Sequence, residues 1–219
     1  MAKRELTIQS GTNLLGDETM KLSDDDKINM MYVQQIGDNE CWFASYMMVL
    51  TYITGTAISY DMEKDNVKKL LTDKALVPGY IDNADYYFTN GGTSDTILLC
   101  LQSKDLGDLH YNRFYPKTIA DIKQQIEYSL SHNAPVILGL NNPDHYVVVT
   151  AVDTDSLGAL TIKFFDPYNH QDSPNDPKTG TLSIKSNSLS LHYTRYTDGK
   201  KFIIDSTIGD LISDDPNKK

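Results

Sequence analysis

The sequence predicts an α+β protein in which a helical part is followed by an antiparallel β-sheet. In the first half of the chain, apolar residues recur at helical spacing and follow residues that commonly cap helices. After residues 132–134 the period changes, and short runs of β-branched and aromatic residues are separated by turn residues. The length of 219 residues suits a single domain. We expect it over residues 29–212, with a helical half at about 29–133 and a sheet half at about 134–212.

Four segments of the helical half have helix patterns. Residues 41–54, CWFASYMMVLTYIT, are strongly apolar and have the length of a buried helix. Residues 61–73 carry apolar positions at helical spacing among charged ones, which predicts a surface helix. Two further helices are predicted to begin at capping residues, one at Thr93 or Ser94 and the other at Thr118.

Five runs in the second half have strand patterns, because they are short, β-branched or aromatic, and bounded by turn residues. They are residues 135–140, 145–152, 160–165, 189–196 and 202–205. Two stretches are predicted to lack regular structure. These are residues 77–92, which mix turn residues with aromatic ones, and a loop at residues 171–180.

Polar residues dominate both ends of the chain. Residues 1–28 show no sustained period, which predicts a flexible lead-in or a pro-segment, and residues 213–219 are predicted to be a disordered tail. Lys3 and Arg4 are not followed by the apolar core of a secretory signal, and no apolar run approaches the roughly 18 residues of a membrane span. We therefore expect no membrane insertion, and either a cytoplasmic location or secretion by a system independent of a signal peptide.

Charge and cysteine content exclude several classes of function. The chain has 30 acidic and 20 basic residues, a net charge of −10, which argues against a nucleic-acid-binding surface. Its two cysteines, Cys41 and Cys100, cannot form a disulfide framework, and no Cys/His cluster predicts a metal site. Cys100 lies in an apolar run and is predicted to be a buried thiol. We expect neither a metal nor a cofactor.

Cys41 follows a turn and begins the predicted apolar helix. The first turn of a helix presents N–H groups without intrahelical partners and a partial positive charge, and both favour a thiolate. A cysteine in this position is typical of a nucleophile. The other interpretation of the position is a small core residue on a buried helix.

The residues around Cys41 resemble the nucleophile segment of papain-like cysteine peptidases. A glutamine, Gln35, stands six residues before the cysteine, and Trp42 follows it directly. The resemblance implies that the Gln35 side chain donates to an oxyanion hole, with the backbone N–H of Cys41 as the second donor. It also implies a papain-like fold, in which the helix that begins at the nucleophile packs against the C-terminal antiparallel sheet.

The resemblance further implies a histidine at the start of a strand and a residue that orients it after the next strand. His145 follows a turn and leads one predicted strand, and Asp166 ends the next. The segment from His145 to Tyr168 looks most like the double-glycine leader peptidases and related bacterial papain-like enzymes, which use aspartate here. A carboxylate at Asp166 would orient the imidazole and stabilise its positive charge. Asn169 is the alternative third residue, because papain itself uses asparagine.

Further residues are candidates for contact with a substrate. Trp42 and Gly92 are assigned as substrate-binding residues, and His170 lies close to Asp166 in sequence. Aromatic residues between positions 80 and 88 line a substrate cleft in one interpretation and pack in the core in the other. They are Tyr80, Tyr86, Tyr87 and Phe88.

Together these residues predict a peptidase that cleaves peptide bonds through a Cys41–His145–Asp166 triad. An alternative is a bacterial effector or toxin that uses the same triad as a deamidase, transglutaminase or amidase, because a fold and a triad do not determine the substrate. A non-enzymatic alternative is an inactive papain-like module that binds peptides. In each case we expect a protein or peptide partner and a monomer.

Overall fold

The computed structural model describes residues 11–12, 18–74, 83–141, 145–156, 159–168, 179–184, 190–192 and 201–210. The helices among them are α1 (Asp25–Met31), α2 (Cys41–Thr54), α3 (Tyr60–Lys74), α4 (Ala84–Asn90), α5 (Ser94–Gln102) and α6 (Ile119–Ser131). The strands are β1 (Gly11–Thr12), β2 (Glu18–Lys21), β3 (Tyr111–Phe114), β4 (Val136–Asn141), β5 (His145–Thr154), β6 (Leu160–Phe165), β7 (Thr179–Ile184), β8 (Ser190–His192) and β9 (Lys201–Asp210). The fold is α+β with an antiparallel sheet, which confirms the predicted class.

Helix α2 is the central helix of the molecule. Every residue from Trp42 to Tyr52 is buried, so this helix is apolar on all sides and has no face toward solvent. It ends at Gly55, whose φ of 66° lies in the left-handed region and whose N–H donates to the Thr51 carbonyl at 2.9 Å. A helix enclosed in this way holds its first residue, Cys41, in a defined position.

The sheet closes on itself into a ring of six strands. Antiparallel pairing runs from β4 to β5, β6, β7, β8 and β9, and β9 pairs again with β4. Outside this ring, β2 pairs with β5 and β3 pairs with β9. Closure pairs each strand of the ring with two neighbours. The register of each strand is fixed because a slip of one residue would move its buried side chains to the other face of the sheet.

Helices α5 and α6 begin at the predicted capping residues. Thr93 and Thr96 form a reciprocal capping box at the start of α5. Thr118 and Asp121 form one at the start of α6. Both predicted starts are therefore confirmed by side-chain hydrogen bonds that satisfy backbone N–H groups of the first turn.

The structure corrects the predicted start of the domain at residue 29. Strand β2 pairs with β5, the Leu22 N–H donates to the Thr150 carbonyl at 2.9 Å, and Leu22 is fully buried. Asp24 caps α1, whose Met31 is also fully buried. Residues 18–28 thus belong to the folded part and are not a flexible lead-in. A four-residue strand and a seven-residue helix are too short to show a clear period in sequence.

Two other predictions about regular structure are corrected, and one strand was not predicted at all. Residues 84–90, predicted to be irregular, form α4, because Asn83 accepts a hydrogen bond from the Asp85 N–H and caps it. Strands β3 and β7 were not predicted, and β7 begins inside the predicted loop at 171–180. Their short, polar sequences have a weak strand signal, and pairing with neighbouring strands determines their conformation. Residues 213–219 lie outside the described residues.

Within the part of the chain that the structure describes, no helix is both long and apolar enough to cross a membrane.

Candidate active site

Cys41 is the first residue of α2 and is partly exposed. Its backbone N–H has no acceptor within the helix, because the first four N–H groups of any α-helix lack one. The positive end of the helix is therefore directed at the region around the thiol. The predicted location of Cys41 at a helix N-terminus is confirmed.

His145 and Asp166 come from neighbouring strands of the sheet. His145 is the first residue of β5, and Asp166 directly follows β6. The antiparallel register pairs Val148 with Phe165, so the chain beyond Phe165 returns alongside the start of β5. As a result, His145 Nε2 and Asp166 Oδ1 lie 2.9 Å apart.

The His145–Asp166 pair is almost completely shielded from water, with exposed fractions of 6% and 0%. An ionised carboxylate only accepts hydrogen bonds, so Nε2–H of His145 is the donor. Oδ1 of Asp166 also accepts the Tyr168 backbone N–H at 2.8 Å. This second hydrogen bond fixes the carboxylate in the orientation that receives the imidazole.

The side chain of Cys41 lies close enough to the imidazole of His145 to raise the pKa of that imidazole. Because Nε2 is engaged by Asp166, we infer that Nδ1 is the nitrogen directed at the thiol. Burial alone lowers the pKa of His145, but its hydrogen bonds and charge interactions with Asp166 and Cys41 raise that pKa to about 10. The site therefore favours an imidazolium at neutral pH, beside a cysteine at the positive end of a helix.

Gln35 is buried beside this site, but its amide has other partners. Its Nε2 donates to the carbonyl oxygens of Gly37 and Asp38, at 3.0 Å each. Its backbone N–H donates to the Pro167 carbonyl at 2.8 Å, which joins the segment before Cys41 to the segment after Asp166. In this conformation, the amide could donate to an oxyanion only by giving up one of its two carbonyl acceptors. The predicted oxyanion role of Gln35 stays a prediction.

Trp42, which the sequence analysis assigns to substrate binding, lies in the core. Trp42 is fully buried, and its Nε1–H donates to the Tyr87 carbonyl at 3.0 Å. Its ring packs against Phe43 and Phe88. Trp42 therefore anchors the first turn of α2 in the core, and its assignment as a substrate-binding residue stays a prediction.

Gly92 lies against the Trp42 indole. A Cβ atom at position 92 would stand 2.5 Å from Trp42 Cδ2, which leaves room only for glycine. Gly92 is itself partly exposed. Its assignment as a substrate-binding residue stays a prediction, and its packing against Trp42 is a separate reason for glycine.

The other candidates have simpler roles or lie outside the description. Tyr87 and Phe88 are buried in the core, whereas Tyr86 is exposed. Tyr80, Asn169 and His170 lie outside the described residues. Of the two candidates for the third residue of the triad, Asp166 lies in the described part of the chain, and its carboxylate hydrogen-bonds His145.

The two cysteines lie in opposite environments. Cys100 is fully buried in α5, and burial together with the nearby charge of Glu63 raises the pKa of its thiol to about 12. Its predicted role as a core thiol is confirmed by this burial. Cys41 is partly exposed and contacts a charged imidazole, so the two thiols differ in access and in electrostatic surroundings.

One buried residue next to Cys41 was not identified from the sequence. Glu40 precedes Cys41 and is buried. A charged residue directly before a strongly apolar helix is the only sequence signal of it. Its partners come from α3, which is distant in sequence.

Among the described residues, no group of three or more His, Cys, Asp or Glu side chains is arranged to hold a metal ion.

Comparison with known proteins identifies a family for the chain. Residues 27–198 match the Peptidase_C39 like family, a span that includes Cys41, His145 and Asp166. No curated protein matches the sequence. Among solved structures, the chain is similar to UfSP from C. elegans, with a TM-score of 0.44 and 12% identity. That alignment covers 81% of this chain and 32% of the UfSP chain, so the present chain spans about a third of its length. The match over residues 27–198 shows that this chain belongs to the Peptidase_C39 like family, within the papain-like cysteine peptidases.

Proposed function

We propose that this protein is a cysteine peptidase with one catalytic domain, in which Cys41 is the nucleophile, His145 the acid–base residue and Asp166 the residue that orients His145. The observation that carries the proposal is His145, which hydrogen-bonds Asp166 at 2.9 Å and interacts with the side chain of Cys41 at the start of α2. Membership of a peptidase family supports peptide bonds as the target. The expected substrate is a protein or a peptide.

The first half of the reaction forms an acyl-enzyme. The Cys41 thiolate attacks the carbonyl carbon of the scissile bond, and the C=O electrons move to oxygen. The backbone N–H of Cys41 donates to this oxyanion, a contribution of about 3 kcal/mol for a well-placed donor. The imidazolium of His145 then donates its proton to the nitrogen of the leaving amine, and the C–N bond breaks.

The second half regenerates the enzyme. Neutral His145 accepts a proton from water as the water oxygen attacks the thioester carbon. The C–S bond then breaks, which releases the carboxylic acid product and returns the thiolate–imidazolium pair. Asp166 holds Nε2–H throughout, so Nδ1 stays the nitrogen that exchanges the proton.

Replacement of Cys41 by Ala tests the proposal. We expect hydrolysis of fluorescently labelled casein to fall by at least about 10³-fold while the thermal unfolding temperature changes little, since only a partly exposed thiol is removed. The matched control is Cys100→Ala, which removes the other thiol. This variant should still hydrolyse the labelled casein. Activity that persists in Cys41→Ala contradicts the proposal.

The same samples separate peptide cleavage from other chemistry of the triad. Intact-mass spectra of casein should show shorter chains after incubation with the wild-type protein. A small mass gain without chain cleavage, or a crosslinked product, would instead indicate deamidation or transamidation and would contradict a peptidase.

A further inference from the structure

A buried carboxylate lies directly before the nucleophile, and the proposed reaction steps do not use it. Glu40 is only 4% exposed, although its carboxylate is charged at neutral pH. Burial of a charge without partners costs several kcal/mol, so a buried glutamate requires compensating donors.

Two side chains of α3 supply these donors. Lys64 Nζ lies 2.5 Å from Glu40 Oε1, and the Tyr60 hydroxyl donates to Oε2 at 2.5 Å. Burial alone raises the pKa of Glu40, but Lys64 and Tyr60 outweigh that effect and hold it below its usual value. Lys64 Nζ also lies 4.7 Å from the centre of the Phe88 ring, a ring that packs on Trp42. The Glu40 carboxylate is therefore held in place from α3.

Glu40 in turn holds the short segment before Cys41. The Gly37 N–H donates to Glu40 Oε2 at 3.3 Å, and the Glu40 N–H donates to the Gly37 carbonyl at 3.2 Å. The Glu40 side chain lies so close to Gly37 that a Cβ there would stand 3.0 Å from Glu40 Cδ. Gln35 Nε2 contacts the same segment through the Gly37 and Asp38 carbonyls. Residues 37–40 are thus fixed from two sides.

We propose that Glu40, Lys64 and Tyr60 form a positioning network that fixes residues 37–40 and thereby sets the position of Cys41 relative to His145. This inference rests on the proposed function. None of the hydrogen bonds described for the network reaches the side chain of Cys41 or His145, and the network acts through the backbone that leads into α2. Lys64 also balances the negative charge of Glu40, which would otherwise disfavour a thiolate at the next residue.

A second cluster of the same composition provides a matched control. Glu63 is buried to the same degree as Glu40. Its Oε1 accepts the Tyr46 hydroxyl at 2.5 Å and lies 2.8 Å from Lys104 Nζ. This cluster joins α2 and α3 to Lys104, which follows α5. None of the hydrogen bonds described for it reaches residues 37–40. Its loss should therefore lower stability without changing the position of Cys41.

The test compares Glu40→Gln and Tyr60→Phe with Glu63→Gln and Tyr46→Phe. The measurement is the rate constant for alkylation of Cys41 by iodoacetamide at about pH 6, followed by mass spectrometry, since alkylation at low pH requires a thiolate stabilised by His145. We expect the first two variants to react about tenfold more slowly than wild type. The two control variants should stay within about twofold of wild type, although all four lower the unfolding temperature.

Charge rescue gives a readout that a purely structural role would not change. Lys64→Met should slow alkylation at least as much as Glu40→Gln, and Lys64→Arg should restore most of the rate because it keeps the charge beside Glu40. Wild-type alkylation rates in both Glu40→Gln and Tyr60→Phe would overturn the inference, as would equal slowing in the Glu63→Gln control. If Glu40→Gln does not fold, Tyr60→Phe against Tyr46→Phe decides the question.

Failure of the proposed function has a different signature. If wild-type Cys41 reacts at about pH 6 no faster than Cys41 in a His145→Ala variant, there is no activated thiolate. That result overturns both the peptidase proposal and this inference. A fast wild-type reaction that is insensitive to Glu40 and Tyr60 overturns this inference alone.

Discussion

The helical part and the sheet of this protein contribute to the site in different ways. The helical part contributes the sulfur and the backbone N–H of Cys41, at the start of a helix that is buried from Trp42 to Tyr52. The sheet contributes two side chains, His145 and Asp166, which meet because β5 and β6 pair in a fixed register. The N-terminus of α2 favours a thiolate at Cys41. The pairing of β5 with β6 places Asp166 beside His145.

This difference shows where the site is sensitive to change. Neither part contains the whole site, so the Cys41–His145 contact depends on how α2 packs against the sheet. The sheet closes into a ring, which limits movement of His145. The start of α2 instead depends on the segment before it and on Trp42, which is held by Tyr87 and packed against Gly92. Four predictions test this contrast.

The largest effect is expected from removal of Cys41, of His145, or of both, because these two side chains meet where the helical part faces the sheet. His145→Ala should lower casein hydrolysis by about as much as Cys41→Ala, at least about 10³-fold, and the double variant should be no worse than either single one. The reason is that the nucleophile and its base act as one unit. The measurement is initial cleavage rates of the three variants. Additive losses would show that the two parts act independently.

A smaller effect is expected from Asp166→Asn, which keeps the shape of the side chain and removes its charge. We expect cleavage to fall by about 10²–10⁴-fold, because the imidazole loses the partner that fixes its tautomer and stabilises its positive form. Lowering of the His145 pKa should also move the alkaline limit of activity to lower pH. The measurement is the pH profile of the cleavage rate for wild type and variant. An unchanged profile would contradict the assigned role of Asp166.

The same pair predicts how stability depends on pH. The pKa of His145 in the folded protein, about 10, lies above its ordinary value of 6.5. Protonated His145 therefore stabilises the fold fully below about pH 6.5, and this contribution is lost as the pH rises through the folded pKa. The measurement is denaturant unfolding of Cys41→Ala and of the double variant Cys41→Ala with Asp166→Asn, since the first substitution removes the titration of that thiol. As the pH rises, the free energy of unfolding should decrease more steeply in the protein that keeps Asp166.

The smallest effect is expected from Gly92→Ala, which tests the packing that holds the start of α2. The new methyl group meets the face of the Trp42 ring, which is buried and cannot move aside, so we expect a loss of about 1–3 kcal/mol in the free energy of unfolding. Cleavage should also slow, because Trp42 is bonded to Cys41. The control is Gly107→Ala. Its φ of 67° costs about 1 kcal/mol in an alanine, but nothing lies within 4 Å of the new Cβ, and activity should be unchanged. Equal effects of the two variants on activity would contradict the role given to Trp42.

Much of the fold class and the core of the site could be predicted from local patterns. The apolar run from Cys41, the capping threonines of α5 and α6, and the β-branched runs that begin β4, β5 and β6 each identify an element from its own residues. The segment from Gln35 to Trp42 resembles papain-like cysteine peptidases, and this resemblance indicated His145 and Asp166, at predicted strand ends, as the partners of Cys41 in the candidate triad. These signals lie within short segments, where intrinsic preference and motif chemistry act directly.

Features that depend on distant parts of the chain could not be predicted in this way. Strand β2 is ordered by pairing with β5, although its own residues carry a weak signal. Trp42 follows Cys41 in sequence, but core packing buries its side chain completely. The partners of Glu40 lie on α3, and no spacing rule relates them to Cys41.

The sequence by itself determined the element types and which residues could act as nucleophile and base, because helix capping, apolar periodicity and the Gln–Cys–Trp spacing are local properties of the chain. Only the tertiary structure decided which of them meet. The β5–β6 register brings Asp166 to His145, and the packing of α2 brings Cys41 to the same imidazole. The physical reason is that the packing of α2 joins Cys41 to His145, more than a hundred positions apart, and strand pairing joins His145 to Asp166, 21 positions apart, whereas local patterns extend over only a few residues.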